Sequence, residues 1–135
     1  PFLSVCAPSV HDTSTMRGWW REEADLQPFW SALGLPGEAP REYDAETARK
    51  VTDALLHTSS ALAVFQIQDL LALVDGAGPE DPGEERVNLP GTMSEFNWGY
   101  RMALSLEELA AQHELHAVLA PLLSDRRKRP LVTGS

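Results

Sequence analysis

Two apolar runs in the chain have the composition of buried β-strands. Residues Phe2–Val10 are rich in Phe, Leu, Val, Cys and Ala, and residues Ala61–Ile67 read ALAVFQI. Apolar runs of this length are typical of strands that are covered on both faces, as they are in a parallel sheet. We therefore predict two buried strands, each of which ends at a pair of polar residues.

Two other stretches have the spacing of amphipathic helices. Between Asp44 and Leu56 apolar side chains recur at helical intervals, and Asp44 occupies the N-cap position. A second helix is predicted from Ser105 to about Ser124, because Ser105 and Glu108 have the spacing of a capping box. The resulting order of strand, helix, strand and helix is the one from which parallel α/β sheets are built.

The segments between these elements show no clear periodicity. Residues 16–30 mix aromatic and charged side chains, and Pro28 is expected to break any helix there. Residues 34–40 and 88–101 contain the Gly and Pro residues that favour turns. The acidic segment Asp75–Glu85 is predicted to be a flexible loop.

Composition narrows the class of protein. The 135 residues include 20 acidic and 11 basic side chains, a net charge of −9. This balance argues against a nucleic acid or a membrane surface as partner, since both attract clustered cations. The longest apolar stretch is also shorter than the roughly 20 residues that span a bilayer. The single cysteine, Cys6, excludes an internal disulfide and favours a reducing, cytoplasmic compartment.

The chain begins within an apolar, strand-like run that is not expected to be a secretory signal, because no basic residues precede it. We therefore expect residues 1–135 to be one segment of a larger domain, incomplete without the rest of that domain. Two strands leave apolar faces uncovered, so the isolated segment is expected to fold poorly.

The polar residues after the first strand are the first candidate site. His11 and Asp12 lie where a barrel of βα units places its active site, at the carboxyl end of a strand. A carboxylate there can stabilise positive charge or accept hydrogen bonds from sugar hydroxyls. The alternative is an ordinary turn, in which Thr13 and Ser14 hydrogen-bond to the local backbone.

Three other polar groups have comparable alternatives. Gln68 and Asp69 end the second predicted strand, but Asp69 is equally suited to cap a helix that begins at Leu70. Asn88 lies in a rigid turn that can present its amide to a ligand. The last group offers an aromatic plane and a cation and consists of Asn97, Trp98 and Arg101. A Trp of this kind, however, more often closes the side of a core.

No cofactor and no metal site are predicted. His113 and His116 lie three residues apart on the last helix, but no third ligand of a suitable type is near them in the sequence. A glycine-rich phosphate loop and a Ser-His-Asp or Cys-His set are also missing.

Four segments together resemble a known family. In order along the chain they read HDTSTMRGWW, AVFQIQDLLAL, RVNLPGT and NWGYR. This order and spacing are similar to those near the C-terminus of 4-alpha-glucanotransferases, the amylomaltases or disproportionating enzymes of the α-amylase clan. The resemblance covers roughly residues 3–124, almost the whole chain.

The resemblance implies an α/β fold, the C-terminal portion of a (β/α)8 TIM barrel. This chain would supply the seventh and eighth βα units and the closing helix. Enzymes of the family cut an α-1,4 bond in a maltooligosaccharide or glucan and transfer the released unit to another sugar with retention of configuration. Such a reaction uses a carboxylate nucleophile and a general acid/base about 5 Å apart.

The same resemblance implies roles for individual residues. Asp12 corresponds to the carboxylate that stabilises the transition state, and His11 to a residue that hydrogen-bonds to the donor sugar. Asn88 corresponds to a residue that lines the sugar-binding cleft. Supporting or structural roles fall to five further residues: Gln68, Asp69, Asn97, Trp98 and Arg101.

The chain also departs from the family pattern. The nucleophile and the general acid/base lie upstream in the family and are absent here, so the isolated chain is predicted to be inactive. Many relatives read Asn-Trp-Arg-Trp-Arg where this chain has Gly99 and Tyr100 in the middle. The segment Asp75–Glu85 is longer than the connection common in bacterial relatives. Two other classes remain open, namely another hydrolase or debranching enzyme of the clan, and a non-catalytic helical interaction module.

Overall fold

The computed structural model describes residues 3–127. The strands and helices in this part of the chain are β1 (Val5–Cys6), α1 (Met16–Glu22), α2 (Leu26–Ala32), α3 (Ala45–Leu56), β2 (Leu62–Ala63), α4 (Ile67–Leu71), a 3-10 helix (Pro82–Glu85), α5 (Leu106–Ala110) and α6 (His113–Arg127).

The two strands pair in parallel, as the order of elements predicted. Val5 pairs with Leu62 and Cys6 with Ala63. Both strands are much shorter than the predicted runs, and their prediction as buried strands is wrong. Val5 and Leu62 are each 59% exposed, because within residues 3–127 the sheet has two strands and nothing packs on this face.

The predicted end of the second strand is also corrected. Gln68 and Asp69 do not end a strand but lie in the first turn of α4, which begins at Ile67 after Gln66 as the N-cap. Asp69 therefore does not cap a helix beginning at Leu70 either. A run such as ALAVFQI is ambiguous by sequence, since a buried helical turn and a buried strand have the same composition.

Residues 16–30 form two helices rather than an irregular segment. Thr15 caps α1 by accepting a hydrogen bond from the N–H of Gly18. Pro28 is the third residue of α2, where a missing N–H removes no hydrogen bond within the helix, so it is tolerated. Trp20 and Trp30 from the two helices meet edge to face, with ring centroids 6.1 Å apart, and form a buried aromatic core.

The helix predicted after Asp44 is confirmed as α3. The Asp44 carboxylate accepts the N–H of Thr47 at 2.8 Å, which satisfies one of the free donors at the helix start. Ala48 and Val51, both fully buried, contribute to two different apolar clusters of the core. Helix α3 therefore joins the aromatic core to the packing of α4 and α6.

Removal of the Asp44 cap is expected to reduce the stability of the protein. We expect Asp44→Ala to lower the free energy of unfolding by about 1 kcal/mol, and Asp44→Ser to retain most of it. The hydrogen bond from the Thr47 N–H holds the pKa of Asp44 below its ordinary value. The contribution of the cap is therefore present at neutral pH and is lost as the pH falls through that lowered pKa. Urea denaturation at neutral and acid pH tests both statements, and equal stability of the wild type and Asp44→Ala would contradict them.

The C-terminal helix is correctly predicted at its start but not along its length. Ser105 and Glu108 form the expected capping box. The helix then ends at Ala110, and α6 begins anew at His113. Leu115 of α6 is buried in the same apolar cluster as Ala48 of α3 and Leu71 of α4. Between residues 3 and 127 no helix is long and apolar enough to cross a bilayer.

Candidate functional site

The first candidate pair, His11 and Asp12, occupies the middle of a tight turn after β1. The Thr13 N–H donates to the carbonyl of Val10 at 3.0 Å, and the Thr13 hydroxyl accepts the N–H of Val10 at 3.0 Å. The turn that the sequence offered as an alternative is therefore present, but only Thr13 hydrogen-bonds to the local backbone. The Ser14 hydroxyl instead donates to the Glu23 carboxylate and accepts from Arg86. Both side chains nevertheless remain about half exposed, 53% for His11 and 49% for Asp12, so the turn presents them to solvent.

Asn88 contacts both residues of this pair. Its side-chain Nδ2 donates to Asp12 Oδ1 at 2.7 Å, and its backbone N–H donates to the carbonyl of His11 at 3.1 Å. On the other side, His11 Nε2 lies 3.3 Å from Asp12 Oδ2. The Asp12 carboxylate is thus held from two sides, and oxygen lone pairs remain for a ligand.

The loop that carries Asn88 is built to hold its shape. Leu89, Pro90, Gly91 and Thr92 form a turn closed by the Thr92 N–H and the Leu89 carbonyl at 3.1 Å. Gly91 has φ of 80°, the left-handed conformation that the third position of a type II turn requires. Asn97 then closes the loop, because its Oδ1 accepts the Leu89 N–H and its Nδ2 donates to the Thr92 carbonyl, each at 3.0 Å.

Trp98 joins the site through an unusual backbone conformation. Its φ is 63°, in the left-handed region that a bulky residue rarely adopts, and its N–H donates to the Val87 carbonyl at 2.7 Å. The indole lies against the His11 imidazole with ring centroids 5.1 Å apart. Trp98 is 64% exposed, so it does not close the side of a core. It extends the His11–Asp12–Asn88 cluster with an open aromatic face.

Asp69 lies in a buried polar layer beneath the turn. Its Oδ1 accepts the N–H of Met16 at 2.8 Å, and its Oδ2 accepts the hydroxyl of Ser9. Burial raises the pKa of the Asp69 carboxyl, and the two hydrogen bonds act in the opposite direction. Asp69 is therefore a structural tie between α4 and the segment that carries Asp12.

Glu85 is the principal residue of this layer that the sequence analysis missed. The sequence predicts a flexible acidic loop here, but Glu85 ends the 3-10 helix and is 3% exposed. Its Oε1 lies 2.7 Å from the Arg17 guanidinium, and its Oε2 accepts the Thr15 hydroxyl at 2.6 Å. Burial raises the pKa of Glu85, and Thr15 and Arg17 offset part of this rise. The sequence signal was weak, since Glu85 is one of five acidic residues in the segment Asp75–Glu85 and only this one finds a cation in the interior.

Of the remaining predicted residues, one lies in the buried polar layer and one is exposed. Gln68 is buried, and its Nε2 donates to the Glu85 carbonyl at 3.0 Å. Arg101 is exposed, donates to the Tyr100 carbonyl at 2.9 Å and lines a small cavity beside Glu85. The structure shows no contact of Arg101 with His11, Asp12 or Asn88. Within the described part of the chain, no three ligating side chains come close enough to hold a metal ion.

This geometry is suited to binding a polyhydroxylated ligand. An exposed carboxylate with an imidazole and an amide at hydrogen-bonding distance can accept and donate to hydroxyl groups. The adjacent indole face is the kind of surface on which the apolar face of a sugar ring packs. One carboxylate alone cannot perform a double displacement at a glycosidic bond, which takes a nucleophile and an acid/base.

Comparison with known proteins identifies the family. A sequence model described as 4-alpha-glucanotransferase, glycoside hydrolase family 77, matches residues 1–106. The chain therefore belongs to the 4-alpha-glucanotransferase family. The family resemblance predicted from the four sequence motifs is confirmed.

Individual relatives agree with this assignment. A 4-alpha-glucanotransferase of Chlamydia muridarum is 36% identical over 121 residues, which are 89% of this chain and 23% of that protein. A 4-alpha-glucanotransferase of Oryza sativa subsp. japonica is 31% identical over 125 residues, 91% of this chain and 13% of that protein. The chain thus spans less than a quarter of the length of these relatives.

A solved structure supports the fold. An amylomaltase from Streptococcus agalactiae, determined in complex with acarbose, superposes with a TM-score of 0.64 at 19% identity. The match covers 94% of this chain and 22% of the amylomaltase. The chain therefore has the α/β fold of a segment of that enzyme.

Proposed function

We propose that this chain is the C-terminal segment of the catalytic (β/α)8 barrel of a 4-alpha-glucanotransferase, and that it supplies the seventh and eighth βα units and the closing helix. The enzyme transfers segments of α-1,4-glucan, of the starch or glycogen type, between maltooligosaccharides by a retaining double displacement. The observation that carries the proposal is the contact of Asn88 with Asp12, which assembles the family motifs HD and NLPGT into one exposed site.

In this proposal Asp12 stabilises the transition state. The transferred glucosyl unit becomes oxocarbenium-like, and its ring distorts as the glycosidic bond breaks. The Asp12 carboxylate favours the developing positive charge and accepts hydrogen bonds from ring hydroxyls that strengthen at this point. His11 hydrogen-bonds to the same sugar, Asn88 lines the cleft and orients Asp12, and Trp98 packs against a neighbouring ring.

An uncovered apolar face supports the proposal that the chain is part of a larger barrel. Four side chains from the two strands and the residues beside them are between 54% and 89% exposed, namely Leu3, Val5, Leu62 and Val64. A contiguous apolar face of this kind needs a cover in water. In the proposed barrel the remainder of the domain provides it, together with the nucleophile and the general acid/base.

An assay with maltotriose tests the function. We expect the full-length protein to convert maltotriose into glucose and longer oligomers, which is the product pattern of transfer. An α-1,4 hydrolase of the same clan would instead give glucose and maltose without longer products, and a debranching enzyme would leave maltotriose unchanged. Either result would overturn the proposal. The isolated chain of residues 1–135 is the matched control and is expected to be inactive, since it lacks both groups of the double displacement.

The alternative of a helical interaction module without enzymatic ancestry finds no support. The family match covers residues 1–106, and the paired strands have no role in such a module.

A further inference from the structure

The turn that presents Asp12 is rigid within itself, so its position depends on how it is attached to the rest of the chain. Three hydrogen bonds between Val10 and Thr13 close the turn, and none of them connects it to another element. Ser9 lies just before the turn and Met16 starts α1 just after it. Asn88 contacts the middle of the turn, and Ser9 and Met16 attach its two ends, so these contacts together decide where Asp12 lies.

Asp69 contacts both of these residues. Its Oδ2 accepts the hydroxyl of Ser9, and its Oδ1 accepts the Met16 N–H at 2.8 Å. Asp69 is 3% exposed and belongs to α4, an element outside the turn. One carboxylate thus joins the entry and the exit of the segment that carries Asp12. Hydrogen bonds to an ionised carboxylate are among the strongest that a protein forms.

Neighbouring residues complete the attachment. Gln66 donates to the Ser9 Oγ at 2.6 Å, which leaves the Ser9 hydroxyl proton to point at Asp69. Gln68 donates to the carbonyl of Glu85 at 3.0 Å, three residues before Asn88. Both loops of the candidate site are therefore held by three polar residues at the start of α4.

We propose that Asp69 is a positioning residue of the transfer reaction, which holds the Ser9–Met16 segment at both ends and so keeps the Asp12 carboxylate at the donor sugar. The proposal rests on the proposed function, because it acts through Asp12. Asp69 itself is buried and does not touch the substrate.

The test compares kcat and KM for maltotriose in the full-length protein with Asp69→Asn. The amide keeps the shape of the carboxylate but faces one of the two donors with its own NH2 group, so one contact is lost. A displacement of Asp12 by even 1 Å is expected to lower kcat by roughly tenfold to a hundredfold. KM is expected to change much less, because the interaction weakened is one formed in the transition state.

A double-mutant cycle separates positioning from a general structural effect. In the Asp12→Asn background the carboxylate that Asp69 positions no longer exists, so adding Asp69→Asn should change kcat by less than about twofold. A purely structural role would lower kcat by the same factor in both backgrounds. That additive result would overturn the proposal.

Two further variants keep the test decisive. Ser9→Ala removes only one of the two contacts, so it is expected to fold, to lower kcat less than Asp69→Asn and to show the same loss of effect with Asp12→Asn. Asp44→Ala, which weakens α3, is the control for reduced stability and should leave kcat unchanged. Normal kcat in both Asp69→Asn and Ser9→Ala would overturn this inference alone. Normal transfer by Asp12→Asn would overturn the role proposed for Asp12 and this inference with it.

Discussion

Asp12→Asn in the full-length protein is expected to slow the disproportionation of maltotriose by about a hundredfold or more, equivalent to roughly 3 kcal/mol of transition-state stabilisation. The amide is nearly isosteric with the carboxylate, and its oxygen can still accept the hydrogen bond from Asn88. The negative charge that favours an oxocarbenium-like transition state is lost. The effect should therefore appear in kcat rather than in the folding of the turn.

The control for this variant is Asp81→Asn. Asp81 is exposed to a similar degree as Asp12 and lies in the acidic segment, where it pairs with Arg21. We expect Asp81→Asn to retain the wild-type rate, and both variants to have wild-type circular dichroism spectra. Near-normal transfer by Asp12→Asn would reduce the His11–Asp12 pair to a turn at the end of a strand.

The second large effect is expected from Arg17→Met, which leaves Glu85 as a buried carboxylate without its cation. The two side chains are 24% and 3% exposed and lie 2.7 Å apart. Removing one partner of a buried pair is expected to lower the free energy of unfolding by about 3 kcal/mol or more at neutral pH. Urea denaturation of the full-length protein measures this loss.

The pH dependence of this loss has a defined sign. Burial raises the pKa of Glu85 above its ordinary value of 4.5, and Arg17 offsets part of the rise. A raised carboxyl pKa in the folded state opposes folding above that ordinary value and not below it, since protonated Glu85 carries no charge. The destabilisation by Arg17→Met should therefore be small at acid pH below 4.5 and grow as the pH rises through the raised pKa.

Arg21→Met is the matched control on the same helix. Arg21 pairs with Asp81 at 2.8 Å, but both side chains are more than half exposed, so solvent screens the interaction. We expect little change in stability for Arg21→Met. The double variant Arg17→Met with Glu85→Gln removes both charges and should recover part of the loss. Equal losses in the two single Arg variants would contradict the role of the buried pair.

Local signals in the sequence were accurate where the interacting groups lie within one helical turn of each other. Asp44 and the pair Ser105 and Glu108 satisfy N–H groups only three residues away, so no other part of the chain is needed to predict them. The strand runs were less well predicted. Ile67 is apolar in either conformation, and its place in α4 depends on the packing against other helices.

In the candidate site, too, contacts between distant parts of the chain could not be predicted from the sequence. The positions of His11, Asp12 and Asn88 after a strand run and in a turn, and the family motifs that carry them, made them candidates, but the sequence alone could not show that they touch. The bond between Asn88 and Asp12 joins residues 76 positions apart. Glu85 escaped detection because its partner Thr15 is 70 positions away and its neighbours are ordinary surface acids.

The sequence by itself determined the starts of α3 and α5, the parallel order of strands and helices, and the family, because each depends on short motifs and their spacing. Only the tertiary structure decided which polar groups are exposed and which are buried. Asp12 and Asp69 each follow a polar residue after an apolar run, yet one is open to solvent and the other is enclosed. Burial is set by elements that pack from distant parts of the chain, and burial in turn decides whether a carboxylate meets a ligand or ties the fold together.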